Sequence, residues 1–164
     1  DVKLYLAQLG KKGLDEELGG RSMEFASISG SLASASDTIT RIMLDLAQRL
    51  DTQNLNFSAQ GREEIGSFSD RVHNNVQLAL NVMMNQNPAE ARELVEAKEK
   101  VRKIEQKLQR SHIARLREGL VDSIETSNIH QETLRALKQI NTAFSQVGYL
   151  ILHKSGDLLK SRLT

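Results

Sequence analysis

The sequence predicts an all-α fold, an antiparallel up-down bundle of four long helices preceded by a short helical segment. Three observations lead there. Apolar residues recur at steps of three and four in four separate stretches, which places each set on one stripe of a helix. One proline in 164 residues and few β-branched runs leave little to interrupt helix and nothing that alternates like a strand. The connections between the stretches are short, and short connections make successive helices antiparallel neighbours.

The chain opens on Asp1 rather than methionine and is expected to be a piece of something longer. Val2, Leu6 and Leu9 share one face of a short helix to about Lys12, closed by the segment Gly10 to Gly13. Gly19 and Gly20 follow an acidic stretch, and each glycine weakens a helix by ~1 kcal/mol relative to alanine. A break is expected there, dividing a truncated segment, residues 1–20, from the bundle domain, residues 21–164.

From Ser22 onward, Ile28, Leu32, Ala35, Ile39, Ile42, Leu46 and Leu50 form a near-heptad stripe on a long core helix from about Arg21 to Asp51. The polar run Asp51 to Ser58 reverses the chain. Ile65, Phe68, Val72, Val76, Ala79 and Met83 then predict a helix to about Gln86. Asn87, Pro88 and Glu90 mark the next start: an N-cap asparagine, proline at the first helical position and a capping glutamate at the third. That helix, about Pro88 to Glu118, buries Leu94, Ala97, Val101, Ile104 and Leu108 and clothes its other faces in charge, including the pairs Glu96 with Lys100 and Glu99 with Lys103.

Gly119 suits the end of that helix. Asp122 with Glu125 three residues on resembles a capping box that opens the last helix, about Ser123 to Lys154, with Gly156 as its stop. Its stripe is Ile129, Thr133, Leu137, Ile140, Phe144, Val147 and Ile151.

Composition removes whole classes of function. With no cysteine there is no disulfide framework, thiolate metal site or catalytic thiol. A formal charge of +1 provides no global field toward nucleic acid or anionic lipid. Aromatics at 4% and the absence of tryptophan argue against base-stacking platforms, so no nucleic-acid partner is expected. No apolar run approaches the ~20 residues of a membrane span and nothing resembles a signal peptide, which is the pattern of a soluble domain.

Chemistry-bearing residues are sparse. His73, His112, His130 and His153 are spread over three helices, and no Glu-x-x-His motif accompanies them, so they read as polar side chains with local hydrogen bonds rather than metal ligands. Arg110, His112, Arg115 and Arg117 cluster at the end of the fourth helix, where they complement its dipole and form the one candidate basic contact patch for phosphate or lipid head groups. Ser127 and His130 lie one turn apart, without a visible third group or oxyanion device. No phosphate-binding glycine loop occurs, and no enzyme activity is expected.

Several runs, taken together, resemble the cytoplasmic PhoU-like domain at the C-terminus of bacterial sodium/phosphate cotransporters. They are HIARLREG from His112 to Gly119, ETSNIH from Glu125 to His130, LRALKQIN from Leu134 to Asn141, then VGYLIL and a terminal SGDLLKSRL. FSAQGREEIGSFSDR from Phe57 to Arg71 and KLYLAQLG from Lys3 to Gly10 are similar to upstream parts of the same domain.

The resemblance implies PhoU-type three-helix units on the cytoplasmic face of the bacterial inner membrane. Its implied partner is a membrane transport domain of the same polypeptide, which would carry the sodium and phosphate; a homodimer is the other candidate assembly. In the wider pattern acidic pairs bind metal clusters. Here Asp37 stands as a vestige of one acid, Ala33 replaces its partner, and Lys138 and Thr142 take the acid positions of the second unit, so no metal or cofactor is expected. Two function classes stay open: a regulatory or assembly domain of a phosphate transporter, and a free-standing adaptor acting on a transporter or sensor kinase.

Overall fold

The computed structural model describes residues 16–155, and all regular structure among them is helical. The elements are α1 (Glu16–Asp37), a π-helical turn (Thr38–Met43), α2 (Leu44–Thr52), α3 (Ala59–Asn85), α4 (Pro88–Arg117), α5 (Val121–Glu125) and α6 (Ser127–Lys154). The short helix expected at Val2 to Lys12, its closing glycines and the stop at Gly156 lie outside the described residues.

Helical dihedrals at Asp37, Met43 and Leu44 carry the chain from α1 through the π turn into α2 without a break. The interruption expected at Gly19 and Gly20 is not found; α1 runs through both. Two glycines cost only about 2 kcal/mol of propensity, which tertiary packing readily overrides. The unexpected interruption comes later. The π turn holds more residues than an α turn, and threonine hydroxyls bond back to the preceding turn, Thr38 Oγ1 to the Ser34 carbonyl at 2.9 Å and Thr40 Oγ1 to that of Ser36 at 2.8 Å. The extra residue rotates the stripe. Ala35, Thr38 and Leu46 are buried, whereas Ile39 and Ile42, expected in the core, are 46% and 39% exposed.

The turn into α4 follows the sequence closely. Asn87 accepts from the amides of Ala89 at 2.9 Å and Glu90 at 3.4 Å, with Pro88 behind it. Glu90 departs from the expected box: its carboxylate takes the Asn85 side-chain amide at 3.0 Å, while Asn85 Oδ1 accepts from the Asn87 amide. At the other end Gly119, at φ +72°, lets its own amide reach the Leu116 carbonyl at 3.1 Å and that of Leu120 reach Arg115 at 3.3 Å, a Schellman closure. Leu120, not Asp122, occupies the N-cap of α5, without a side-chain cap. Thr126 then separates α5 from α6, its hydroxyl returning to the Asp122 carbonyl at 2.6 Å.

α6 is the central helix, touching α1, α2, α3 and α4. It lies antiparallel to α4, since Ser127 meets His112 and Lys138 meets Glu105, and parallel to α3, since His130 lies by Gly61 and Asn141 bonds Asn75. The continuous helix of α1, the π turn and α2, the first rod, runs antiparallel along α6, tied by Arg49–Glu132 near one end and Glu24–Lys154 near the other. Successive long helices thus alternate in direction, with α3, α4 and α6 forming a three-helix core.

Two apolar clusters fill that core. Phe68, Val72, Val101, Leu134, Leu137 and Ile140 occupy its middle, and Val82, Ala91, Val147, Ile151 and Leu152 the end beside the α3–α4 turn. In the second cluster α6 approaches the α4 backbone closely. A Cβ on Gly148 would stand 2.9 Å from the Ala91 carbonyl oxygen, so the contact requires glycine.

Candidate functional site

Where α3 and α6 begin and α4 ends, the core changes from apolar to polar. The inward stripe of α4 continues by steps of three and four past Leu108 to His112 and Arg115, both buried. The first turns of α3 supply Gln60, Gly61 and Glu64, held in register by Ser58, whose hydroxyl accepts from the Gly61 amide at 3.2 Å. Ser123 donates to the same Ser58 hydroxyl at 3.1 Å, and α6 contributes Ser127 and His130.

These side chains form a connected cluster. Arg115 Nη1 lies 2.9 Å from Glu64 Oε2 and donates to Ser111 Oγ at 3.1 Å; Ser111 in turn donates to Glu64 Oε1 at 2.6 Å. Gln60 Nε2 reaches both Ser111 and Glu64 at 3.3 Å. The imidazoles of His112 and His130 stack with centroids 4.4 Å apart and planes 10° from parallel, and Phe57 meets His130 edge-on at 5.8 Å. His112 Nε2 lies 2.9 Å from Ser127 Oγ.

Burial first, and the neighbouring charges second, set the protonation state. Burial above all, then the neighbouring His112 and the Arg115 guanidinium, push His130 down from 6.5 to about 4 against the opposing pull of Glu64. Burial and then Arg115 likewise lower His112. The geometry agrees: Arg115 Nη2 lies 3.4 Å from His130 Nε2, and because a guanidinium only donates, Nε2 must accept and the ring proton sits on Nδ1. A protonated His130 would point an N–H at a cation.

The four residues of the expected basic patch therefore part company. Arg110 and Arg117 are exposed, while His112 and Arg115 face inward and meet protein rather than solvent. The patch reads wrongly from sequence because a cationic helix end is usually a solvated one; the continuing three-four step from Val101 through Leu108 to Arg115 is the signal that separates the two cases. Glu64 and Ser111 had no signal beyond their place on helices.

The Ser127 hydroxyl pairs with His112 rather than with His130. Among the described residues His112 Nδ1 has no hydrogen-bond partner to orient the ring, and a lowered pKa makes it a weaker base than an ordinary imidazole. What the cluster does is tie three helix ends together through one buried ion pair and two neutral rings.

The other positions singled out from the sequence lie elsewhere. His73 and His153 are exposed, and the described residues contain no group of three or more acidic or histidine side chains placed to hold a metal. Asp37 lies on the surface, 3.6 Å from Arg41. Lys138 pairs with the buried Glu105 at 3.1 Å, and Thr142 lines the groove beside it.

Comparison with known proteins gives long, specific likenesses. Over 153 residues, 93% of the chain, it is 32% identical to the Salmonella typhimurium protein named "Putative inorganic phosphate export protein YjbB". Over 156 residues, 95% of the chain, it is 31% identical to the protein of the same name from Escherichia coli K12. The chain spans under a third of these relatives, 28% and 29% of their lengths. No family model matches, and no solved structure does.

Proposed function

We propose that this chain is the PhoU-like regulatory or assembly domain of a sodium-dependent phosphate transporter, attached on the cytoplasmic face of the bacterial inner membrane and acting by helix packing rather than catalysis. The observation that carries this reading is the shape of the likeness: nearly the whole chain matches, yet it accounts for under a third of proteins named for phosphate export. No described helix is long and apolar enough to cross a membrane, so the passage of phosphate falls to the remainder of such a protein.

The surface supports a packing role. Met23, Phe25, Ile39, Ile42 and Leu44 on the first rod are exposed apolar side chains, suited to cover by the membrane half or by a second copy. The buried cluster supports it too, since its neutral histidines offer no acid or base poised for catalysis near neutral pH.

The test is deletion of residues 22–163 from the full-length transporter in membrane vesicles. Uptake and efflux of labelled phosphate should both be followed, with and without a sodium gradient. The expected result is altered control of transport with sodium and phosphate binding by the membrane half retained. Unchanged transport across all conditions, or loss of ligand binding with the membrane half still folded, overturns the proposal.

A further inference from the structure

Half-way along the bundle, α4 and α6 flank a groove of ≈ 300 Å³ whose described lining residues all carry charged, amide or hydroxyl side chains. Lys98 and Arg102 stand one turn apart on α4, and Lys138 and Thr142 one turn apart on α6, so the two antiparallel helices present basic side chains to the same space. Glu99 and Glu105 also line it, and each is already matched. Glu99 Oε2 takes Arg102 Nε at 3.1 Å; Glu105 Oε1 takes Lys138 Nζ at 3.1 Å and Gln109 Nε2 at 3.2 Å. Lys98 rests 4.6 Å over the Tyr149 ring, with its Nζ 3.3 Å from the phenol oxygen. Among the described residues that line the groove, three cations stand against two carboxylates.

Asn141, on the same wall, is 1% exposed. Its Oδ1 accepts from Asn75 at 2.8 Å, while its Nδ2 is buried and has no acceptor among the described residues. A buried amide donor left unpaired is costly, and such groups in native proteins call for an explanation. An acceptor-rich, negatively charged guest in the groove would supply one. A cation would meet the local positive charge, and an apolar ligand would leave the Asn141 amide as it is, without an acceptor.

We infer that this groove binds a tetrahedral oxyanion of the phosphate class, as free inorganic phosphate or as the head of a small phosphomonoester. Arg102 keeps both Nη groups for the oxyanion while its Nε holds Glu99, the fork geometry that favours phosphate oxygens. Lys98 and Lys138 supply point charges, Asn141 Nδ2 a directional donor and Thr142 a hydroxyl. The choice of phosphate among oxyanions rests on the proposed function; the existence of a built anion site does not. In that setting the domain would read phosphate on the side where it sits.

The experiment is isothermal titration calorimetry of the full chain with inorganic phosphate, with glycerol 2-phosphate and with sodium chloride of matched ionic strength. The double variant Lys98→Gln/Arg102→Gln removes two donors from partly solvated positions. Lys107→Gln/Arg117→Gln removes the same charge from exposed positions on the same helix. Saturable binding of either phosphate compound that weakens tenfold or more in the groove variant, and is unchanged in the control variant, is expected. The tighter of the two identifies the physiological form. Absence of saturable binding, or equal weakening in both variants, overturns the site. Because this titration involves no transport, its failure leaves the deletion experiment to stand or fall alone.

Discussion

At the end of the core where α4 stops, Arg115, Glu64, His112 and His130 are enclosed with Ser111 and Ser127; at the end where α3 turns into α4, Val82, Ala91, Val147, Ile151 and Leu152 interlock around Gly148. The same three helices meet at both ends, with opposite physics. The apolar end is held by contact area and tolerates no added volume. The polar end depends on each charge keeping its partner, and its two neutral rings make it sensitive to acid. A bundle so built can loosen one end while the other stays closed, a useful property for a domain proposed to act by helix packing.

The largest expected effect breaks the polar end. Arg115→Ala leaves the Glu64 carboxylate enclosed without its 2.9 Å partner. Removing one member of a buried pair costs roughly 3–5 kcal/mol, to be read from the urea midpoint at pH 7. Replacing both members, Glu64→Leu with Arg115→Leu, should recover most of that loss. A double variant as damaged as the single one would show that the cluster needs more than its ion pair.

Acid should produce the next effect. His130 titrates at about 4 in the folded chain and at its ordinary 6.5 when unfolded, so the unfolded state binds more protons between those values. Its contribution is complete above pH 6.5 and is lost as the pH falls toward 4, on the order of 3 kcal/mol for this one residue. His112, lowered in the same direction, adds to the same side. Chemical denaturation from pH 7 to 4 should show this slope, and His130→Phe, which keeps a ring against His112, should flatten it. A slope unaltered by that variant would move the acid sensitivity elsewhere.

The apolar end should answer to volume and not to pH. Gly148→Ala places a methyl 2.9 Å from the Ala91 carbonyl oxygen, backbone that cannot step aside alone. Overpacking of this kind costs about 1–3 kcal/mol, and the loss should be equal at pH 7 and pH 5.

How much of this was legible in the sequence differs between the two ends for a physical reason. Periodicity reports which face of a helix is buried when burial and hydrophobicity coincide, so Phe68, Val72, Leu94, Val101, Leu137 and Ile151 fell in the core as their spacing required. The Asn87–Pro88 start and the Gly119 end were equally plain, because each residue there performs a backbone task few others can. At the polar end the buried residues are charged or polar, and hydrophobicity carries no information about them. Only the unbroken step from Leu108 to His112 and Arg115 marked the inward face. The π turn and its register shift left no mark, since no residue of Thr38–Met43 demands that geometry as proline or glycine demands a turn.

That shift yields the smallest and most discriminating prediction. A continuous α-helical stripe would put Ile42 in the core beside Leu46, and truncation of either to alanine would cost roughly 2–5 kcal/mol. With the π turn, only Leu46 is buried, while Ile42 is 39% exposed. Leu46→Ala should therefore fall within that range, whereas Ile42→Ala in the isolated chain should stay within about 0.5 kcal/mol of the parent, as surface changes do. Thermal unfolding at two protein concentrations a hundredfold apart separates the remaining case. A loss at Ile42 that appears only at the higher concentration would mean that a second copy covers this face, and an equal loss at both would mean that Ile42 belongs to the core and the register shift is wrong.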